Sequence, residues 1–351
     1  MTDAGRHPRI KLLTLAEIEQ IGGYVGNFKV RVRQRPRFVR EKDCTACGDC
    51  AKVCPQATPN EFEIGLATRK AIYSPFAQAV PSAYLVDPTT CLGHDPLVCG
   101  KCIKACKKQC IDFDMTEQVH EFEVGTIVVA TGMDIFDPTA VEEYGYGRFP
   151  NVVTSMEFER LINAGGPTLG EVVRPGDRQV PKRVAFVQCV GSRSTSGAAG
   201  CKPYCSNVCC MNTLKDTLML KEHYPDMEVT VFYLDIRSFG KGFEDLYTRS
   251  REAGVRYLRG LPGLIEEDAA TGGLVLSVEN TTTGALERHG ADLVVLSVGI
   301  LPRSDNKHLQ EMLALQKTSD GFFLEAHSKL MPVDSATRGV FFAGCAEGPK
   351  D

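Results

Sequence analysis

The chain has 351 residues, of which 43% are hydrophobic and 24% charged. This is the balance of a globular protein, so wholesale disorder is excluded, and the length predicts two or three structural units. Forty basic and 44 acidic residues give a formal net charge of −4, and because they are interspersed, neither nucleic acid nor a membrane surface is an expected partner. No apolar run reaches the roughly 18 residues of a spanning helix, so no membrane span is expected.

Fifteen cysteines are the unusual feature of the composition. Nine lie between Cys44 and Cys110, five lie between Cys189 and Cys210, and Cys345 stands alone. The sequence does not open with a signal peptide, so a cytoplasmic location is expected, where bunched cysteines bind metal more often than they form disulfides.

The predicted elements begin with a short helix over residues 13–21 and a strand over 28–32. A basic linker over 31–40 then leads into the first cysteine block. From Val119 onward, strands and helices alternate. The predicted strands are 125–132, 183–190, 228–234, 255–258, 274–279, 292–298 and 340–344, and the helices are 156–164, 209–223 and 243–253. Buried strands interleaved with helices predict an α/β fold with a parallel sheet.

The first cysteine block contains two runs of the pattern C-G-x-C-x3-C, at 47–54 and 99–106. With Cys44 ahead of it and Pro55 behind it, the first run has the spacing of a bacterial ferredoxin. There, three thiolates bind one iron–sulfur cluster and the fourth binds its neighbour. We therefore expect two [4Fe–4S] clusters, one held by Cys44, Cys47, Cys50 and Cys106, and the other by Cys91, Cys99, Cys102 and Cys54.

Zinc or simple burial is the alternative for this block, but three ligands at two-residue intervals fit a zinc site poorly. Lys107 stands where the ferredoxin pattern usually has proline. Cys110 is left over, and we expect it to pack in the core.

The second cysteine block follows a strand that occupies the place of the first strand of a dinucleotide-binding domain. The fingerprint G-x-G-x-x-G is absent there, and Cys189, Gly191 and further cysteines stand in its place. Asp235, at the end of the next strand, follows Gly191 by 44 positions against about 20 in the fingerprint. Nicotinamide binding is therefore not expected. A third iron–sulfur cluster is the favoured interpretation, and a redox disulfide is the alternative.

Two short segments resemble those of flavoproteins that have two dinucleotide-binding domains. They are residues 128–132, which end in Ala-Thr-Gly, and residues 339–345, in which Cys345 stands where these flavoproteins have an aspartate. A third segment of this kind, 293–299, returns the chain to the first domain. The FAD contacts that this resemblance predicts are Ala130, Thr131, Gly132, Gly344 and Cys345.

The whole chain resembles the A-type subunits of heterodisulfide reductase. The segments that carry the resemblance are 44–55, 69–81, 124–132, 189–193, 204–210, 235–241 and 342–351. It implies a thioredoxin-reductase-like flavoprotein with an incomplete FAD domain, into which a 2[4Fe–4S] ferredoxin module is inserted. The implied division is 1–36 and 116–180 in the FAD domain, 37–115 in the ferredoxin module, 181–298 in a domain like those that bind NAD(P), and 299–351 again in the FAD domain.

The resemblance also implies roles for single residues. Cys189, Cys205, Cys209 and Cys210 would hold a third [4Fe–4S] cluster, and Cys201 would be an extra thiol. Lys215, on the helix that follows the cysteine pair, is a candidate for a cation near flavin N5, and a solvated helix lysine is the alternative.

The implied function is that of an oxidoreductase subunit that acts on sulfur groups. It would pass electrons between a low-potential donor, FAD and three [4Fe–4S] clusters, and on to B- and C-type subunits that reduce a disulfide. A hydrogenase- or dehydrogenase-type donor and a dimer within the complex are the further expected partners. No acid–base dyad, catalytic serine or zinc-hydrolase motif is present, so hydrolysis is not expected.

The family begins with a G-x-G-x-x-G motif that this chain lacks. We therefore expect a split subunit or a fragment, whose FAD is shared with another chain that supplies the motif. The alternative function is a flavin-free iron–sulfur electron relay.

Overall fold

The computed structural model describes residues 2–194, 200–269 and 271–350. The chain divides into two compact units, Met1–Thr126 and Ile127–Asp351, called here the N-terminal and the C-terminal unit. The division into five segments expected from the sequence stays a prediction.

The N-terminal unit is built from short elements. They are α1 (Thr2–Arg6), β1 (Ala16–Tyr24), β2 (Asn27–Gln34), α2 (Asp49–Lys52), β3 (Ala57–Pro59), β4 (Thr68–Lys70), β5 (Ile72–Tyr73), β6 (Leu85–Val86), α3 (Lys101–Ala105) and β7 (Gln118–Val124). β1, β2 and β7 form an antiparallel sheet in that order, and β3–β4 and β5–β6 are antiparallel pairs.

The helix predicted over 13–21 is wrong, because this segment contributes to β1. β1 pairs with β2 from Ala16 to Tyr24, with one bulge between Ile18 and Gln20, and the glycines at 22 and 23 remain within the strand. Glu19 forms an ion pair with Arg31 at 3.2 Å, and Glu17 pairs with Arg33 at 3.1 Å. Cross-strand pairing of this kind overrides a weak local helical pattern. The basic linker consequently begins only after Gln34.

β2 and β7 bring together the two chain segments on either side of the first cysteine block. Their register runs from Phe28 opposite Val124 to Gln34 opposite Gln118. The block between them has its own small core, in which the side chains of Phe38, Val39 and Ile72 are nearly inaccessible to solvent. The cysteine block therefore leaves and rejoins the sheet at one end.

The C-terminal unit has an α/β core. Its elements are β8 (Ile127–Val129), β9 (Asp134–Ile135), β10 (Val152–Thr154), α4 (Ser155–Leu161), β11 (Arg183–Val190), α5 (Cys209–His223), β12 (Glu228–Tyr233), α6 (Phe243–Glu252), β13 (Arg256–Arg259), β14 (Pro262–Glu267), β15 (Leu274–Asn280), β16 (Ala285–Ala291), β17 (Leu293–Val298), β18 (Ile300–Leu301), α7 (Asn306–Leu313), β19 (Glu325–His327), β20 (Met331–Ser335) and β21 (Val340–Phe342).

Five parallel strands form the central sheet, in the order β10-β17-β11-β12-β13. β17 is buried along its whole length, as a strand covered on both faces must be. Along β11 successive side chains enter opposite cores: Val184 and Phe186 pack on the side of α4, and Ala185 and Val187 pack on the side of the antiparallel sheet β14-β15-β16. The predicted α/β fold with a parallel sheet is confirmed.

A smaller sheet has the order β19-β20-β21-β8, with β8 parallel to β21 at its edge. The predicted strand over 125–132 is shorter than expected, and its central residue Val128 is 61% exposed. Within the described ranges, no helix combines the length and the apolarity that crossing a membrane requires.

Candidate functional site

The two C-G-x-C repeats of the N-terminal unit adopt the same local structure. Gly48 and Gly100 have left-handed φ angles of 82° and 59°, and a one-turn helix, α2 or α3, follows each of them. This backbone conformation favours glycine, because a Cβ atom would be strained there. α2 and α3 pack against each other, so the cysteines of the two repeats face a common region.

The structure brings together the first predicted ligand set, Cys44, Cys47, Cys50 and Cys106, called here the first thiol set. Burial and the neighbouring thiols of Cys44, Cys102 and Cys106 raise the pKa of Cys50 to about 12. Tyr84 lies beside three members of the set. Burial, and next the neighbouring thiols of Cys50, Cys47 and Cys44, raise the pKa of Tyr84. A buried thiol with a raised pKa, such as that of Cys50, needs positive charge nearby to become a thiolate.

The second predicted set, called here the second thiol set, lines one cavity. Its members are Cys54, Cys91, Cys99 and Cys102, and apolar side chains including Ile72, Val86 and Phe113 complete the wall. Burial, together with the neighbouring Cys91 and Cys54, raises the pKa of Cys102 to about 11. Cys54, from the other repeat, therefore lies in the wall of the same cavity as Cys91, Cys99 and Cys102.

Cys110, the spare cysteine, packs in the core as expected and is 3% exposed. Its Sγ lies 3.4 Å from the Sγ of Cys106, a contact that the sequence analysis did not predict. Burial and the hydrogen bond to Cys106 raise the pKa of Cys110 to about 12. Burial acts to raise the pKa of Cys106. Hydrogen bonds from the backbone and the thiol of Cys110 outweigh this effect, so the pKa of Cys106 is lowered overall.

The third predicted set, Cys189, Cys205, Cys209 and Cys210, lies at the carboxyl ends of adjacent strands of the central sheet. Cys189 is the second-last residue of β11. The Cys209 thiol donates to the Val298 carbonyl at the end of β17 (3.6 Å), and the Cys210 thiol donates to the Asp235 carbonyl beyond β12 (3.9 Å). Cofactors bind in crevices at this edge of open α/β sheets. The four cysteines are called here the third thiol set.

The members of the third thiol set influence one another. Burial, and next the adjacent Cys210, raise the pKa of Cys189 to about 11, and burial and the other three thiols raise that of Cys209 to about 12. The pKa of Cys210 is also raised, chiefly by burial. Cys201 packs instead against the hydrophobic cluster of the central sheet, beside Tyr144.

The backbone around the third thiol set is sharply bent. Cys189, Gly191, Arg193 and Asn207 all have left-handed φ angles, between 58° and 78°. A Cβ atom at Gly191 would lie 2.2 Å from the Phe136 ring, so only glycine fits there. Such conformations in non-glycine residues concentrate at functional sites.

Asp235, at the position of a ribose-binding carboxylate, is already engaged. Arg193 donates two hydrogen bonds to it, at 2.6 and 3.0 Å, and this pairing lowers the pKa of the carboxyl group. Arg193 also lies beside Cys189 and opposes the rise of its thiol pKa. The guanidinium therefore links the third thiol set to the next strand, a role that the spacing of cysteines could not indicate.

All fifteen cysteines are free. In the part of the chain that the structure describes, no three His, Cys, Asp or Glu side chains converge closely enough to hold a single metal ion. The thiolates of a four-iron cluster each bind a different iron, so they surround a volume and do not meet at one point.

The predicted FAD contacts lie side by side at the ends of two parallel strands. Ala130, Thr131 and Gly132 follow β8, and Gly344 and Cys345 follow its neighbour β21. Gly132 and Gly344 both have left-handed φ angles, and a Cβ atom on either residue would meet nothing within 4 Å.

A buried amide lies next to this turn. Thr131 Oγ1 donates to Asn306 Oδ1 at 3.3 Å, which leaves Asn306 Nδ2 buried without a partner among the described residues. This unsatisfied donor, beside open space, fits an acceptor supplied from outside the described chain.

Lys215 is held by two carboxylates and not by the predicted FAD turns. It forms ion pairs with Glu159 and, at 3.1 Å, with Asp216. These two carboxylates raise its pKa and outweigh the opposing effect of burial. Its side chain is 44% exposed, so its proposed role beside flavin N5 stays a prediction. The fully buried Asp216 is a titratable group that the sequence analysis did not single out.

No family model matches the chain. Curated relatives do, over its whole length. An A-type iron–sulfur subunit of CoB–CoM heterodisulfide reductase from Methanopyrus kandleri is 50% identical, and the chain covers 52% of it. The A-type subunit of the H2/formate:CoB–CoM heterodisulfide, ferredoxin reductase from Methanococcus maripaludis is 47% identical, with 52% covered. The A-type subunit of the ferredoxin/F420H2-dependent CoB–CoM heterodisulfide reductase from Methanosarcina acetivorans is 44% identical, with 43% covered.

Similar solved structures are flavoproteins. The flavoprotein disulfide reductase RclA of Escherichia coli has a TM-score of 0.40 at 11% identity, covering 66% of this chain and 41% of that one. The thioredoxin reductase of T. acidophilum has a TM-score of 0.38 at 13% identity, covering 67% and 62%. That of Lactococcus lactis has a TM-score of 0.38 at 16% identity, covering 66% and 60%.

These structural likenesses are too distant to carry a conclusion, whereas the sequence relatives confirm the predicted resemblance. The chain is a homologue, over its whole length, of the A-type iron–sulfur subunits of heterodisulfide reductases, and it spans about half the length of the curated relatives it matches.

Proposed function

We propose that the chain is the electron-transfer part of a heterodisulfide-reductase-like oxidoreductase that acts on sulfur groups, and that it holds three [4Fe–4S] clusters and contributes to an FAD site. The observation that carries the proposal is the grouping of twelve cysteines into three sets of four, on a chain homologous to iron–sulfur subunits. Eleven of the twelve are buried or half-buried, and Cys47 is exposed.

The thiols themselves support cluster binding. Each thiol set contains a cysteine whose pKa is raised by burial and by neighbouring sulfur atoms, namely Cys50, Cys102 and Cys209. The thiolate form of these residues needs a cationic partner. Iron supplies that charge, and a four-iron cluster supplies one-electron transfer when it is bound. The exchange of Cys54 and Cys106 between the two repeats would tie the first and second thiol sets into one module.

The third thiol set occupies the crevice where a nicotinamide dinucleotide would bind. The G-x-G-x-x-G fingerprint is absent around Gly191. The Asp235 carboxylate, at the position of a ribose-binding residue, is paired with Arg193. We therefore infer that electrons enter from an iron–sulfur protein of the ferredoxin type. Hydrogen, formate, ferredoxin and F420H2 appear in the names of the relatives, which supports a hydrogenase- or dehydrogenase-type donor further upstream.

The FAD part of the proposal rests on the edge of the small sheet. The turns after β8 and β21 present open glycines, an exposed Ala130 and the unsatisfied amide of Asn306. β8 is an edge strand with an exposed valine, so a further strand can pair with it. We infer that another segment or chain, carrying the G-x-G-x-x-G motif, completes this half-site.

The remaining expectations are also proposals. We infer that B- and C-type subunits accept the electrons and reduce the disulfide, and that the complex contains a dimer. A cytoplasmic location fits fifteen free thiols, because reducing compartments keep cysteines from forming disulfides.

Iron analysis of the anaerobically reconstituted full chain tests the cluster count. We expect about 12 iron atoms per chain, from three four-iron clusters. Changing both Cys209 and Cys210 to alanine should remove about a third of this iron and leave the ferredoxin-type electron paramagnetic resonance signals unchanged. About eight iron atoms in the unchanged chain would contradict the role of the third thiol set.

The second candidate function, a flavin-free relay, is favoured by one observation: the chain lacks the G-x-G-x-x-G motif. A visible spectrum distinguishes the two functions, since flavin adds bands at about 370 and 450 nm to the broad cluster absorbance. We expect weak FAD binding by this chain alone and stronger binding when a chain with the motif is added. No flavin bands even with that chain present would favour the relay.

A further inference from the structure

The first thiol set has one more sulfur atom within reach than a cluster needs. The Sγ of Cys110 lies 3.4 Å from the Sγ of Cys106, and Cys110 also neighbours Cys44. A four-iron cluster takes four cysteine ligands, so one thiol at this position is surplus.

The backbone fixes Cys110 in this position. Gln109 adopts a left-handed φ of 49°, and its N–H donates to the Cys106 carbonyl at 2.9 Å, which closes a turn between the two cysteines. Arg40 anchors the far side of that turn. Its backbone N–H donates to the Cys110 carbonyl at 2.7 Å, and its guanidinium donates to the Gln109 carbonyl at 2.6 Å.

The surroundings of Cys110 keep its thiol turned towards the set. The residue is 3% exposed and belongs to the core with Phe38, Val39 and Ile111. Because solvent does not reach it, its sulfur has the thiols of Cys106 and Cys44 as neighbours and not water. This distinguishes Cys110 from an incidental surface cysteine.

We propose that Cys110 is a reserve ligand of the first cluster, which replaces Cys106 beside Cys44, Cys47 and Cys50 when the Cys106 thiolate is lost. The proposal rests on the proposed cluster binding of the first thiol set. When a cluster is bound, an iron–sulfur bond to Cys110 would take the place of the one to Cys106, and no electron would be transferred. The proton of the Cys110 thiol would pass to the released Cys106 thiolate or, in a chain without Cys106, to solvent.

The second thiol set provides a matched control. The Cys54 thiol is hydrogen-bonded to the Gln56 carbonyl at 3.8 Å, and it has no hydrogen-bonded thiol partner among the described residues. Removing Cys54 should therefore cost a cluster, whereas removing Cys106 should not.

The test uses the full chain and its variants Cys106→Ala, Cys110→Ala, Cys106→Ala/Cys110→Ala and Cys54→Ala, each reconstituted anaerobically. Iron is counted, and electron paramagnetic resonance of the reduced protein reports the cluster type. We expect about 12 iron atoms in the unchanged chain and in both single variants at 106 and 110, and about eight in the double variant and in Cys54→Ala. The resonance of the Cys106→Ala variant should shift, because the ligand geometry changes.

Circular dichroism identifies variants that fail to fold, and Cys110→Ala with full iron serves as the folding control for the double variant. Equal iron loss in Cys106→Ala and in the double variant would overturn the reserve role. So would iron loss in a folded Cys110→Ala variant, because Cys110 would then be the primary ligand. With either of these outcomes, about 12 iron atoms in the unchanged chain would leave the proposed function intact. About four iron atoms in the unchanged chain would instead refute the ferredoxin module itself.

Discussion

Asp216 should make the stability of the protein depend on pH. Its side chain on α5 is fully buried, accepts a hydrogen bond from Asn212 at 3.1 Å and pairs with Lys215. Burial, and next the nearby Glu159 carboxylate, raise its pKa from 3.8 to about 8, although Lys215 opposes the rise. The folded protein therefore holds a proton on this carboxyl group that the unfolded chain releases.

The sign and the size of the effect follow from this difference in proton binding. A raised pKa in the folded state adds stability that is fully present below about pH 4 and is lost as the pH rises towards about 8. Between pH 5 and 8 the free energy of unfolding should fall through this group, by on the order of 1 kcal/mol per pH unit at most. The Asp216→Asn variant keeps the shape but removes the titration, so its slope should be flatter.

Urea unfolding of the cluster-free chain at pH 5, 6, 7 and 8, followed by far-ultraviolet circular dichroism, measures the slope, since the chain has no tryptophan for fluorescence. Asp226→Asn is the control, because that carboxylate is exposed just beyond the same helix. Equal slopes for the unchanged chain and Asp216→Asn would refute the reasoning. The control should match the unchanged chain at every pH.

Three further predictions concern the C-terminal unit. Gly191→Ala should cost at least about 2 kcal/mol in urea unfolding, because φ is left-handed and a Cβ atom would strike Phe136, whereas Gly263→Ala, in open space, should cost little. Thr154→Ala should cost about 1 kcal/mol by removing the capping box that Thr154 forms with Glu157, and a smaller loss would show that the cap is dispensable. NADH and NADPH, mixed anaerobically in excess, should leave the absorbance between about 400 and 450 nm unchanged, and rapid bleaching would mean that a nicotinamide site exists.

The parts of the fold that the sequence predicted well are those with strong periodicity. β11 and α5 have the bounds predicted for them, because a buried strand and a long helix leave clear patterns. The helix over 13–21 was wrong because its residues gain more from pairing with β2, which no local pattern reveals.

The ferredoxin-like spacing indicated the first and second candidate ligand sets, whereas the members of the third set were implied by the family resemblance. The contact of Cys106 with Cys110 could not be predicted from the sequence, because it depends on the left-handed turn at Gln109 and on burial. The group formed by Glu159, Lys215 and Asp216 was also beyond the sequence analysis, since the fold brings α4 to α5 across more than 50 residues.

The edge position of β8 has a consequence for handling the protein. An apolar strand that presents unpaired backbone groups beside an exposed Val128 is a template for strands of other molecules. At high concentration the isolated chain should therefore self-associate through this edge, and a lysine at position 128 should reduce that association. In the proposed shared FAD site, a chain with the G-x-G-x-x-G motif would cover this edge, so co-expression with such a chain should give more monodisperse material.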